Sequence, residues 1–544
     1  MNKTERLNLS NMKKINLLFF FIIVISLNGF SQCQDNWAIK AGSDSSETAS
    51  RIVTDSNGNI YIAGTFKDHT SLDTIALNGY GKNDMFLAKY DAAGNIQWAQ
   101  YGGGIENERV SGLAIDANNN IYVTGSFRET AYFGASAITS SGSDDIFLIS
   151  YSPEGELLWP IKIGGTGQDG ANGLTTDEDN NIYVSGRLNN SSFLNKYDRN
   201  GIQIWSRQDQ LNGTRPQNVN SDYNGHLYIT GAFFGTVNLG SSVLTSRESD
   251  DIFIAKFDTA GNAVWAKQGG GNEWEDYGMD ITTDSNGNVF VTGVFQDTAY
   301  FETDTLIAEI DLFGTGGRDI FIAKYNADGN LLWVKQSKGT DLATGYGIAT
   351  DMEGNAYVTG FYAGPAHFDS ITLPGTYNTY TADIFVVKYN ASGNAVWAES
   401  AVNGRGNDIT RSICGDIIAT GSFSDTSALG PTELISAGKS DIFIWNVCKA
   451  EPCTSTNIEE NPLIASNYKI YPNPVSNQLF VEYTDVKESL NLTLYNTLGQ
   501  AVHTASVYGS EGKYTIDMEA YPKGLYMIRF VDKGTLNTTK IIKQ

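Results

Sequence analysis

The residues of this chain that could do chemistry are few, and most of them recur at a fixed spacing. Asp-x-Asn-Gly-Asn phrases (Asp55, Asn57, Asn59; Asp284, Asn286, Asn288) put three oxygen-bearing side chains at the alternate spacing of a calcium loop. They lack the downstream bidentate carboxylate of such loops, and each stands between two strand-like runs, so a hairpin turn is the expected role. Asp84, Asp145, Asp251, Asp319, Asp383 and Asp441 each precede an apolar run. A residue repeated this way serves the repeat, because catalysis needs one site rather than six. His69, His226, His367 and His503 stand apart from one another. No His-Glu-x-x-His helix, Gly-x-Ser-x-Gly elbow or Cys/His cluster at zinc spacing is present. No catalytic residue, metal or cofactor is expected.

Function in such a chain belongs to residues that break the pattern. The third copy has lost most of its connection between Gly186 and Tyr197, which other copies keep, as in Gly231–Phe257. A notch in one rim is the expected result, near Arg187, Arg207 and Arg215, with the off-pattern Trp274 one copy further on. Arginine beside an aromatic ring suits an anionic or sugar ligand. Tolerated loss of a loop is the duller account.

The elements that carry these residues are read from the repeat itself. A turn, a strand ending in Gly, a long connection, a second strand, a turn and a Trp recur in order. The strand-ending glycines are Gly64, Gly125, Gly186, Gly231, Gly293, Gly360 and Gly421. Tyr61, Tyr122, Tyr183, Tyr228, Phe290 and Tyr357 stand three residues before the first six. Trp98, Trp159, Trp205, Trp265, Trp333 and Trp397 close six copies, and the seventh ends without one. The missing piece stands at the other end, as Trp37-Ala38-Ile39-Lys40-Ala41-Gly42. A circular array whose last member borrows its outer strand from the N-terminus explains the offset; a linear solenoid does not. For the second copy the expected strands are Arg109–Ile115, Ile121–Phe127, Ile146–Tyr151 and Leu157–Lys162. Non-alternating runs such as Ile146-Phe147-Leu148-Ile149 fit sheets buried on both faces.

Together these phrases resemble the bacterial seven-bladed β-propeller repeat (SBBP), found in exported proteins, over residues 36–449. The resemblance implies an all-β, seven-bladed β-propeller. The Lys-Tyr-Asp-x-x-Gly-Asn-x-x-Trp phrase also resembles the tryptophan-docking strand of quinoprotein dehydrogenases. Those enzymes use eight blades and adjacent cysteines, which this chain lacks.

The flanks differ in kind. Lys13 and Lys14 precede the apolar run Ile15–Leu27, so residues 1–31 read as an export signal, too short for a lasting membrane anchor. Residues 450–466 read as a linker. From Tyr468 short alternating strands predict a small Ig-like β-sandwich, residues 467–544. Tyr471-Pro472-Asn473-Pro474, Leu494–Gln500 and Lys523-Gly524-Leu525-Tyr526 resemble the type A C-terminal sorting domain of the type IX secretion system. That resemblance implies a partner in the secretion machinery and a place outside the cell of a member of the Bacteroidota. The net charge is −24, and residues 32–466 are more acidic still at −28. Such a surface repels phosphate backbones and excludes nucleic acid as a partner.

Four cysteines in an exported chain predict two disulfides. Aligning the copies places Cys33 and Cys448 across the turn that the chain termini cut open, which pairs Cys33 with Cys448 and Cys414 with Cys453. The rival pairing joins Cys33 to Cys414 and Cys448 to Cys453. The expected function is that of a monomeric surface or secreted binding and adhesion protein for a glycan or protein ligand. The alternative is a hydrolase or lyase acting on extracellular polysaccharide.

Overall fold

The computed structural model describes residues 36–448, apart from 273–275, 310–316, 340–341 and 376–381, and most of residues 468–543. The expected export signal and linker, with Cys33, Cys453 and Trp274, lie outside the described residues, as does the side chain of Cys448. The chain divides into two compact units between Cys453 and Thr454. No helix among the described residues is long and apolar enough to cross a membrane.

The first unit is all-β, and each copy of the repeat folds as four antiparallel strands. In the second copy these are Arg109–Ile115, Ile121–Phe127, Asp145–Tyr151 and Leu157–Ile163, paired in chain order. The two middle strands are buried on both faces, which is why their sequences run apolar without alternation. In the last copy the fourth strand comes from the other end of the chain. Trp37–Ala41 lies antiparallel to Asp441–Cys448, with Trp37 opposite Asn446 and Lys40 opposite Phe443.

The turn chemistry is built from the recurring Asp. Asp55 Oδ1 accepts the backbone N–H groups of Asn57 and Asn59 at 2.8 and 2.9 Å, which folds the tight turn. Its Oδ2 accepts the hydroxyl of the buried Tyr61 at 3.0 Å. The same bond joins Tyr122 to Asp116, Tyr183 to Asp177, Tyr228 to Asp222 and Tyr357 to Asp351. In these five copies the tyrosine three residues before the strand-ending glycine therefore anchors a turn as well as filling the core.

Adjacent copies are stitched through their first strands. Ser111 Oγ donates to Ala171 O at 2.6 Å and Asn172 Nδ2 to Pro216 O at 2.7 Å. Asn407 Nδ2 makes the same bond to Ala49 O at 2.8 Å, so the seventh copy joins the first.

The long connections hold structure that the sequence pattern does not announce. In five copies they form a short extra hairpin, such as Thr130–Phe133 with Ser136–Thr139. In the first copy it is fused into the long strands Ile60–Leu72 and Ile75–Tyr90. The third copy replaces it with Asn189 and Asn190, both at positive φ, in a tight turn between Ile182–Leu188 and Ser191–Tyr197.

The second unit holds a three-stranded sheet (Tyr468–Tyr471, Gln478–Thr484, Glu511–Asp517) and a four-stranded one (Ala501–Tyr508, Ser489–Asn496, Gly524–Asp532, Thr535–Lys543). Both contribute to one apolar core, which includes Leu479, Val481, Ile516, Leu492, Leu494 and Ile528.

Candidate functional site

One column of the first strands breaks the repeat. Just past the bulge in each strand stand, in order, Arg51, Gly112, Gly173, Asn218, Asp280, Gly347 and Asp408. All seven first strands line one cavity of about 280 Å³, and Arg51, Asp280, Asp408 and Arg411 give it its charge, with the Asn218 amide among them. Asp280 Oδ1 accepts Asn218 Nδ2 at 2.5 Å, and its Oδ2 accepts the N–H of Ile348 at 2.8 Å. Asp408 accepts the N–H of Ile409 at 2.8 Å and that of Ile52 at 2.9 Å. Burial raises the pKa of both carboxyls, and the charge of Arg51 pulls them back. Each carboxylate ties its own strand to the next, so these groups hold the strands together at the cavity wall. Aligning the first strands column by column would have shown this variable position; attention to the loops missed it.

The notch of the third copy is present as a cavity of about 530 Å³, lined by Lys162, Asn189, Asn195, Tyr197, Gln203 and Gln208 among others. None of the three arginines lines it. Arg187 Nη2 donates to Asn190 O at 3.2 Å. Arg207 lies 5.3 Å over the ring of Trp205 and donates to Ala260 O at 2.8 Å. Arg215 pairs with Asp250 at 2.5 Å. Each thus has its own partner.

A third feature lies where the first copy meets the second. The strand Ile96–Gly104 ends in Gly102-Gly103-Gly104 and pairs with Thr130–Phe133 of the next copy. A Cβ on Gly102 or Gly104 would run into Phe133 or Thr130, so only glycine permits this approach. The pairing brings Tyr132 to Tyr80, with ring centroids 5.9 Å apart, and Tyr80 in turn meets Tyr101 at 5.8 Å. Tyr80 and Tyr132 remain 44% and 46% exposed. Three adjoining tyrosines with two open faces offer an apolar platform edged by hydroxyls.

Comparison with known proteins agrees with both halves of this architecture. Residues 264–294 match the SBBP beta-propeller repeat, and residues 469–544 match the secretion system C-terminal sorting domain. The chain thus carries an SBBP beta-propeller repeat and a type IX secretion C-terminal sorting domain. That tail indicates export to the cell surface or the extracellular space. An uncharacterised WD repeat-containing protein of Acanthamoeba polyphaga mimivirus is 25% identical over 69% of this chain and 35% of its own length. The regulatory protein FlaEY of Caulobacter vibrioides is 24% identical over 64% of this chain and 39% of its own. The chain thus spans little more than a third of the length of either relative. Among solved structures, the WD40 domain of Neurospora crassa Pan2 is similar at 10% identity, with a TM-score of 0.36 over 74% of this chain and 91% of that one.

Proposed function

We propose that this exported protein is a monomeric seven-bladed propeller that binds a glycan outside the cell through the tyrosine platform of Tyr80, Tyr101 and Tyr132. In this reading residues 1–31 are the export signal, residues 450–466 the linker and residues 467–544 an Ig-like domain that engages the type IX machinery. The observation that carries the reading is the pair of open tyrosine faces on the rim. Sugar rings have an apolar C–H face and a hydroxyl edge, and tyrosine complements both. The recurring aspartates and tyrosines are buried in turns, whereas the platform joins three tyrosine rings, two of them exposed. A glycan array probed with the secreted protein tests this. Tyr80→Ala together with Tyr132→Ala is expected to lower binding at least tenfold, and unchanged binding overturns the assignment.

A second reading, a hydrolase or lyase acting on polysaccharide, is favoured by Asp280 and Asp408 facing Arg51 in one cavity with raised pKa values. Against it, both carboxylates already accept backbone N–H groups from two strands. Release of reducing ends or unsaturated sugars by the wild type, lost in Asp408→Asn, would establish it.

A further inference from the structure

The junctions between copies repeat a buried pair of acids, and one pair differs from the others. The Asp that opens the third strand of one copy meets the acid that opens the first strand of the next, with a glycine between them. Asp145 meets Asp169 at Gly164, Asp251 meets Asp276 at Gly270, and Asp441 meets Glu47 at Gly42. At each of these three a base supplies positive charge. Lys162 reaches Asp145 at 3.1 Å, Lys40 reaches Asp441 at 3.5 Å and Arg247 reaches Asp251 at 3.7 Å.

The fourth pair, Asp84 and Glu108 at Gly103, has no such base within 4 Å among the described residues. Both residues are wholly buried. Strand register explains the loss: Lys40 and Lys162 stand opposite Phe443 and Phe147, and the residue opposite the equivalent Phe86 is Tyr101. Lys82, two residues before Asp84, is paired with Glu106 at 2.7 Å, and Arg109, next to Glu108, is exposed and makes no ion pair with either acid among the described residues. Asp84 Oδ2 accepts the N–H of Tyr80 at 2.9 Å, and Glu108 Oε2 accepts that of Gly104 at 3.0 Å. Asp84 Oδ1 and Glu108 Oε1 are buried with no hydrogen-bond partner. A buried carboxylate oxygen without a donor or counter-charge is costly, and Asp84 Oδ1 here faces the Glu108 carboxylate across Gly103.

We propose that Asp84 and Glu108 hold a divalent cation, calcium by preference, which supplies at this junction the charge that Lys40, Lys162 and Arg247 supply at the other three. Calcium tolerates irregular oxygen shells and completes them with carbonyls and water, whereas magnesium demands a near-ideal octahedron. Two carboxylates match the weak class of extracellular sites, with Kd of about 10⁻⁴–10⁻³ M. Protons compete for the same oxygens. Burial, with Asp84 and Glu106 adding repulsion, pushes the Glu108 carboxyl up to about 8, and burial and Asp68 raise that of Asp84.

The test is a thermal melt and a calcium titration by calorimetry on the chelator-treated full chain at pH 8, with no glycan present. The wild type is expected to bind calcium and to melt roughly 1–3 °C higher in 5 mM calcium than in chelator. Magnesium should give a smaller shift, and the response should fade at pH 5. Glu108→Gln is expected to abolish the response. Tyr101→Lys, which restores the base of the other junctions, should melt above the wild type in chelator and ignore calcium. Absence of calcium binding by the wild type overturns the proposal and points to a proton shared between the two acids. A full response retained in both variants overturns it equally, by placing the calcium elsewhere.

Discussion

The ring of Trp37 packs on Gly94, the turn glycine of the first copy. A Cβ on Gly94 would come within 3.0 Å of that ring. Trp98 meets Gly155 in the same way, Trp159 meets Gly201, Trp205 meets Gly261, Trp265 meets Gly329 and Trp333 meets Gly393. These six fourth-strand tryptophans thus lie on the glycine turn of the following copy, and four of them also donate Nε1 to a carbonyl in that turn. Trp37 belongs to the last sheet by pairing and touches the first copy by packing. It does for the first junction what the internal tryptophans do for theirs.

Trp37→Ala is therefore expected to destabilise the first unit by about 2–3 kcal/mol, as Trp98→Ala should, since both remove a half-buried indole from a junction. Gly94 has φ +85°, so Gly94→Ala adds backbone strain to the collision with the ring and should cost at least about 1 kcal/mol. Urea midpoints of the three variants measure this. A loss below about 0.5 kcal/mol for Trp37→Ala would mean that the N-terminal strand decorates the sheet without closing it.

Tyr122→Phe keeps the ring and removes the hydroxyl that binds Asp116 Oδ2 at 2.9 Å. Asp116 Oδ2 still accepts Asn120 Nδ2, so the expected cost is only about 1 kcal/mol. Tyr228→Phe should cost a similar amount. The pair sits two copies apart, so the double variant should lose the sum of the two within about 0.5 kcal/mol. A clear excess would reveal coupling between copies that packing alone does not explain.

The strands and the borrowed fourth strand were legible because each leaves a mark at a fixed spacing: glycine, tyrosine and tryptophan once per copy. The extra hairpins were not legible. Thr130–Phe133 and Ser136–Thr139 are four residues each, too short for alternation to stand out. The tyrosine platform was hidden as well, since Tyr132 lies in one such hairpin and meets Tyr80, on the long strand Ile75–Tyr90, through a contact between copies. Arg51, Asn218, Asp280 and Asp408 were overlooked differently. They occupy one column of a regular strand, and only a comparison of copies at that column separates them from ordinary polar residues. The notch was inferred correctly from a shortened connection, but the arginines near it in sequence point to partners of their own.

Acid should stabilise the first unit through its buried carboxyls. Burial, with Asp441 adding repulsion and hydrogen bonds from Ser43 opposing it, pushes Glu47 from 4.5 up to about 7. A carboxyl whose folded pKa lies above its unfolded value holds its proton more tightly when folded. Its contribution is favourable below about pH 4.5 and is lost as pH rises through about 7. Glu47→Gln is expected to gain about 1–2 kcal/mol over the wild type at pH 8 and nothing at pH 4.5. Denaturant titrations in chelator at the two pH values check this, and an equal effect at both would assign Glu47 a role independent of its charge.

Cys414 lies in the turn between Gly404–Arg411 and Ile417–Phe423 and is disulfide-bonded. Cys448 stands opposite Ile417, at the same end of that sheet. We expect Cys33–Cys448 and Cys414–Cys453, because the first pair would replace the turn that the chain termini interrupt. Non-reducing peptide mapping of the secreted protein decides the pairing. Recovery of a Cys33–Cys414 peptide would favour the rival, in which Cys448 pairs with Cys453.

The sorting tail should be separable from the fold it exports. The two units divide between Cys453 and Thr454, and each has its own buried core. The stitching from Asn407 to Ala49 and the strand Trp37–Ala41 complete the first unit from its own residues. A domain with its own core folds without its neighbour when few contacts cross the boundary. Deleting residues 467–544 is therefore expected to leave the urea midpoint of the first unit unchanged within error while the protein accumulates in the periplasm. Cell fractionation with surface proteolysis measures the second outcome and denaturation of the purified protein the first. If the truncated protein still reached the surface, the tail would not be its address. If it reached the periplasm but unfolded, the tail would be part of the fold, and the two roles would have to be separated by point substitutions in Lys523–Tyr526, one of the motifs that resemble the sorting domain.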